Sequence, residues 1–158
     1  MRIRRIGQLI AVVIPLGVLL WVWQGGPLRL FDPLPNITLG EAASSGEDTQ
    51  MRKALAAGAA VNGLGSGWTP LMQAVDGGHL STIRLLLTSG AEVNQPGSHG
   101  WTALHVAAKR GRTDVIELLL AQGAQLQAKT ADGRSALQIA EAGSHRAAER
   151  LLKGWESR

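Results

Sequence analysis

The sequence predicts an all-α solenoid of about four helix pairs with short loops or hairpins, preceded by one transmembrane helix. Three observations carry this: an apolar run near residue 15, a segment recurring every 33 residues through the rest of the chain, and turn and capping residues at the same place in each copy.

The first segment, MRIRRIGQLIAVVIPLGVLLWVWQGG, opens with Arg2, Arg4 and Arg5 and then runs apolar from Ile6 to Trp23. As helix, at about 1.5 Å per residue, that run reaches roughly 27 Å, close to the hydrocarbon thickness of about 30 Å. Gln8 sits at the entrance, and Pro15 lies mid-span, where a membrane helix tolerates it. Trp21 and Trp23 fall at the far edge, where indole rings favour the interface. A cleaved signal peptide is the alternative, but cleavage needs small residues, and Val22-Trp23-Gln24 offers bulky ones. Three arginines precede the span and only Arg29 follows closely, so the short N-terminus is expected to stay in the cytoplasm. In a bacterium this makes a single-pass inner-membrane protein. Residues 1–26 are its stub and signal anchor, residues 27–36 a Pro-rich linker stiffened by Pro27, Pro33 and Pro35, and residues 37–158 a periplasmic domain.

Charge and cysteine content remove several function classes. The formal charge of +4 resides mostly in residues 1–35, which hold +3, leaving +1 for the remainder. A nearly neutral domain has no electrostatic footprint for a phosphate backbone, so no nucleic-acid partner is expected. The absence of cysteine excludes disulfides, thiol catalysis and cysteine-ligated zinc.

Three segments align from Gly67, Gly100 and Gly133: GWTPLMQAVDGGHLSTIRLLLTSGAEVN, GWTALHVAAKRGRTDVIELLLAQGAQLQ and GRSALQIAEAGSHRAAERLLKG. A weaker fourth copy starts at Ile37. Within a copy, Thr69-Pro70 is a helix start, a hydroxyl cap followed by a proline that needs no amide hydrogen. Leu71, Ala74 and Val75 share one helical face, Gly77-Gly78 ends that helix, and Ile83, Leu86 and Leu87 give a second helix its apolar stripe. Gly90 supplies a left-handed end. One such unit cannot bury its own apolar face, so units stack and the outermost need polar covers. Ser44, Ser45, Glu47 and Asp48 suit one end, and Arg146, Glu149 and Arg150 the other, where Leu151, Leu152 and Trp155 close the core.

These residues resemble the ankyrin repeat, whose pattern is G-x-T-P-L-H-x-A-A, then G-H, a leucine run and G-A-D-V-N. The resemblance covers about Ile37 to Gly154, as repeats 37–62, 67–94, 100–127 and 133–154. Gln73 and Gln138 read as replacements of the histidine, and Ser135-Ala136 as a weakened opening. The layout is similar to bacterial membrane-anchored, periplasm-facing ankyrin-repeat proteins, some of which look like accessories to periplasmic catalases in peroxide defence. What the resemblance implies is a membrane-tethered module that binds an exported protein. An immunity protein against a secreted toxin, or a passive scaffold of an envelope complex, would use the same architecture.

Chemistry is sparse. His105 occupies the T-P-L-H position, and His79 and His145 read as the G-H position of successive pairs, both structural places; His99 sits in a loop. No carboxylate pair or Ser/His/Asp arrangement accompanies them, so no catalytic residue, metal, cofactor or small-molecule substrate is expected. Gly63, Gly65 and Gly67 belong to a loop of the repeat rather than to a phosphate cradle.

The resemblance implies protein binding along the concave surface of loop tips and first helices. The matching positions are Trp68, Trp101 and Arg134 after the repeat glycine, Ser66 and His99 in the loops, and Asp76, Lys109 and Arg110 at the ends of first helices. Tryptophan and arginine dominate binding hot spots. With Lys109, Arg110 and Arg134 the patch reads as aromatic and basic, suited to a partner offering apolar groups and carboxylates. Equally, each indole packs against its own loop and stiffens it; the sequence leaves both readings open.

Overall fold

Each apolar stripe read from the sequence lands on a helix. A computed structural model describes residues 35–157, all within one compact unit. The expected anchor at residues 6–23, its cytoplasmic stub and linker residues 27–34 lie outside them. Among the described residues no helix is long and apolar enough to cross a membrane.

Among the described residues eight α-helices form four pairs: α1 (Pro35–Ser45) with α2 (Asp48–Ala56), α3 (Pro70–Gly77) with α4 (Leu80–Thr88), α5 (Ala103–Arg110) with α6 (Thr113–Ala121), and α7 (Ala136–Ala142) with α8 (Arg146–Glu156). The first pair begins two residues before the expected repeat boundary. Among the described residues, bridge pairing is limited to Gly65 with Trp68 and Lys129 with Ser135, so the connections are short fingers rather than strands.

The first helices stack in succession, α1 on α3 on α5 on α7, while α2 packs on α4 and α6 on α8. The substantial contacts therefore join neighbouring repeats. Leu71, Ala74 and Val75 of α3 are buried, as are their counterparts Leu104, Ala107 and Ala108 of α5. Ala74, Ala107 and Ala140 have no exposed surface, and their small side chains let the first helices approach closely. Ile83 and Leu86 of α4 and Ile116 and Leu119 of α6 complete the core, which Leu39, Met51 and Leu152 close at its ends. Leu151 and Trp155 pack against it partly buried. Asp48, expected in the polar cover, faces inward along the stack, where it accepts the Thr82 hydroxyl at 2.6 Å.

The caps correct two sequence expectations. Thr69 accepts the Met72 amide at 3.2 Å, so the residue three positions into α3 is Met72. Met72, fully buried, and not Gln73, stands where His105 stands in α5. The opening at Ser135 is not weakened: its hydroxyl accepts the Gln138 amide at 3.4 Å while the Gln138 carboxamide accepts the Ser135 amide at 2.9 Å, a reciprocal capping box.

A ladder of side chains ties each pair to the one before. His79 Nε2 donates to the Ser44 carbonyl at 3.0 Å, Arg112 to the Asp76 carbonyl at 3.1 Å, and His145 Nε2 to the Lys109 carbonyl at 2.9 Å. His79 and His145 thus belong to the second and fourth pairs, not to successive ones; Arg112 fills the rung between them. Gly46, Gly78 and Gly111, all left-handed, lie under these rungs, and a Cβ on any of them would come within about 2.5 Å of the side chain above. The matching residue of the last pair is Ser144, left-handed at φ 59° despite its side chain.

Candidate protein-binding surface

Three fingers project from the openings of α3, α5 and α7. The tips at Ser66-Gly67 and His99-Gly100 have positive φ at both central residues (53° and 81°, 58° and 69°), a type I′ turn. Each turn is closed by an indole-bearing residue, the Trp68 amide donating to Gly65 at 3.0 Å and the Trp101 amide to Ser98 at 3.3 Å. Successive fingers are joined through backbone, Ser98 N–H to the Gly67 carbonyl and Ala131 N–H to the His99 carbonyl, both at 2.7 Å. Ser66 and His99 are therefore exposed tips whose backbone is strained for a residue with a Cβ.

Both indoles are half-buried against the core. Trp101 meets the His105 ring edge-on with centroids 6.1 Å apart, and Lys109 Nζ lies 5.3 Å from the indole centroid, within cation–π range. Trp101 thus stiffens its own repeat and still shows one side to solvent. Two open grooves flank the indoles. One, of about 600 Å³, is lined by Trp68, Ser66, Gln73 and by Gly40, Glu41 and Ser44 of α1. The other, of about 440 Å³, is lined by His99, Trp101, Ala131, Asp132 and Arg134.

The cations do not combine into a basic patch. Arg110 donates from Nε and Nη2 to the two oxygens of Asp76 at 2.6 and 2.8 Å, across neighbouring repeats. Arg134 pairs with Asp132 on its own finger. The Asp132 carboxyl is held below its ordinary range, first by the Thr130 hydroxyl at 2.5 Å, then by its own backbone amide and by Arg134, against an opposing effect of desolvation. Two of the three cations are thus charge-compensated and Lys109 is held over an indole, which weakens the reason to expect a carboxylate-rich partner.

His105, with no exposed surface, is a structural clamp. Its Nδ1 accepts the Thr102 amide at 3.1 Å and its Nε2 donates to the Ala128 carbonyl at 3.0 Å, which requires the neutral ring. Burial pushes its pKa below 6.5, against smaller opposing contributions from the Ala128 and Arg134 backbone and from Asp132. The unfolded chain then binds a proton that the folded chain refuses, so stability is complete above about pH 6.5 and falls as pH drops below it. Denaturation midpoints measured from pH 7.5 down to pH 5 should decline for the wild type and decline less for His105→Gln, which keeps a cap partner like Gln138.

A second clamp escaped sequence reading. Asn62 accepts the Glu92 amide at 2.9 Å and Asn94 accepts the Gln125 amide at 2.8 Å, each reaching the next repeat's loop. Gln127, at the same register, donates to Glu156 at 2.8 Å. These amides sit in the V-N signature, where the sequence shows the residue but not the partner some 30 positions on.

A family profile described as ankyrin repeats (many copies) matches residues 71–120 and again 104–152, together just over half of the chain. The chain belongs to the ankyrin-repeat family. No curated protein matches it significantly. Ankyrin repeats are interaction modules. The eight residues named from the sequence stand on those fingers and first helices. The fold joins Trp101 to Lys109 and Asp76 to Arg110, sets His99, Trp101 and Arg134 around one groove and Ser66 and Trp68 around the other. Sequence reasoning missed Glu41 and Gln73 of the second groove, since neither stands at a repeat position of the fingers. Among the described residues no group of three or more His, Asp or Glu is placed to hold a metal.

Proposed function

We propose that this ankyrin domain is a membrane-tethered module that binds an exported protein through its concave face. The observation that carries the binding reading is the pair of half-buried indoles on adjacent fingers, each beside an open groove. A rigid, partly exposed aromatic costs little entropy to dock against, which is why such residues anchor interfaces. The tether rests on the apolar run from Ile6 to Trp23 behind three arginines. The resemblance to bacterial membrane-anchored ankyrin-repeat proteins adds a candidate partner class, a periplasmic enzyme such as a catalase.

Cross-linked capture from membranes by the full chain tests this. Because the indoles also pack on the core, Trp68→Ala/Trp101→Ala is accompanied by Ser44→Arg and Ala131→Arg, which obstruct the grooves from exposed positions. A protein held by wild type and released by the two arginine variants, with both still folded, supports the concave face. Retention by every variant places the interface elsewhere. Alkaline phosphatase fused after Arg158 should be active in a bacterial host; an inactive fusion at normal abundance would reject the exported topology.

A further inference from the structure

We infer that the groove beside Trp68 is a seat for a basic side chain, arginine or lysine, of the bound protein; this rests on the concave-face reading above. The repeat itself provides the comparison. In the third pair Lys109 lies 5.3 Å from the Trp101 centroid and supplies that indole with a cation from its own helix. One period earlier the matching residue is Asp76, an anion engaged by Arg110. The Trp68 indole therefore receives no cation from the equivalent position, although an indole face attracts one.

The remaining walls of the groove are acceptors. Glu41 is exposed on α1, lines the groove with Trp68, and among the described residues its carboxylate has no hydrogen-bond or ion-pair partner. Asp76, Arg110, Asp132 and Arg134, by contrast, are all paired. The Gln73 carboxamide turns its NH₂ toward the Gly65 carbonyl at 3.5 Å, and its oxygen toward Gly40, where a Cβ would approach to 2.5 Å. Glycine at 40 thus keeps the groove floor open. An aromatic wall, an unpaired carboxylate and an amide oxygen suit an ammonium or guanidinium on an apolar stem, and about 600 Å³ accommodates one such side chain.

The test is an NMR titration of the folded full chain with N-acetyl-arginine amide, N-acetyl-lysine amide and, as the uncharged isostere, N-acetyl-norleucine amide. Either basic probe should shift the Trp68 indole N–H and the Gln73 carboxamide saturably, and norleucine should not. Glu41→Gln should weaken the effect about 1.5-fold to fivefold, the range of an exposed ion pair. Lys109→Ala should open Trp101 to the same probes. Silence at Trp68, equal response to norleucine, or indifference to Glu41→Gln would each overturn the assignment. If partner capture is still lost in the groove-blocking variants while Trp68 ignores the probes, the binding reading stands and only the seat falls.

Discussion

Replacing Leu119 by alanine is expected to cost about 3 kcal/mol of stability, within the range of roughly 2–5 kcal/mol for emptying a leucine-sized core site. Leu119 has no exposed surface and lies on α6, whose stripe packs on α5 and α8. Alanine removes the transfer energy of the lost methyl groups and leaves a gap that the neighbouring helices fill only partly. The loss is a large share of a domain's usual 5–15 kcal/mol. In a stack of neighbour contacts it also weakens the attachment of the fourth pair to the third, so the urea transition should shift and broaden. Leu64, 55 % exposed, is the internal comparison, and its alanine variant should stay within about 0.5 kcal/mol of wild type. An effect below about 1 kcal/mol at Leu119 would show that the third pair is not packed as described.

Gly111→Ala should be among the most damaging single methyls added to a turn. Gly111 is left-handed at φ 65°, which costs a residue with a Cβ about 1 kcal/mol. The new Cβ would also fall 2.5 Å from His145 Nδ1. The imidazole must move, giving up its 2.9 Å bond to the Lys109 carbonyl, worth about another 1–2 kcal/mol. Gly123, left-handed at φ 84° with nothing within 4 Å of where a methyl would stand, isolates the backbone cost. Denaturation should therefore show a loss of about 1 kcal/mol for Gly123→Ala and about 2–3 kcal/mol for Gly111→Ala. Equal losses would mean that the side-chain ladder adds nothing to the coupling between repeats.

Much of this architecture is legible in the sequence because it is local. The 33-residue period, Thr69-Pro70 at a helix start and the stripes of Leu71, Ala74, Val75 and Ile83, Leu86 are short-range patterns, and each lands where the physics of a helix puts it. Matching by residue type puts the histidine position on Gln73, whereas counting from the cap does not: the third helical residue is fixed by the Thr69 hydroxyl, and that residue is Met72. Ser135 is undervalued because threonine and serine look unequal in a pattern, whereas an N-cap needs only the oxygen. The site is less legible than the fold. Arg110 and Asp76 stand 34 residues apart, and only the stacking of α3 on α5 brings them into a bidentate pair. For the same reason, of three cations that look additive in the sequence, Arg110 and Arg134 are each paired with a carboxylate and Lys109 is held over an indole. The indoles are visible, but whether they pack or project depends on a finger geometry that the sequence specifies only through Ser66-Gly67 and His99-Gly100.

The restriction of packing to adjacent pairs has a mechanical side. Nothing substantial links α1 to α7, so a pull along the chain meets the pairs one after another and never the domain as a whole. Each 33-residue unit released would lengthen the chain by about 100 Å, taking about 3.3–3.6 Å per extended residue less the thickness of the folded layer. Held at one end and loaded at the other, such a stack yields in a series of short slips at modest force. A partner gripped across several fingers would splice those layers together and turn the same pull into a single rupture.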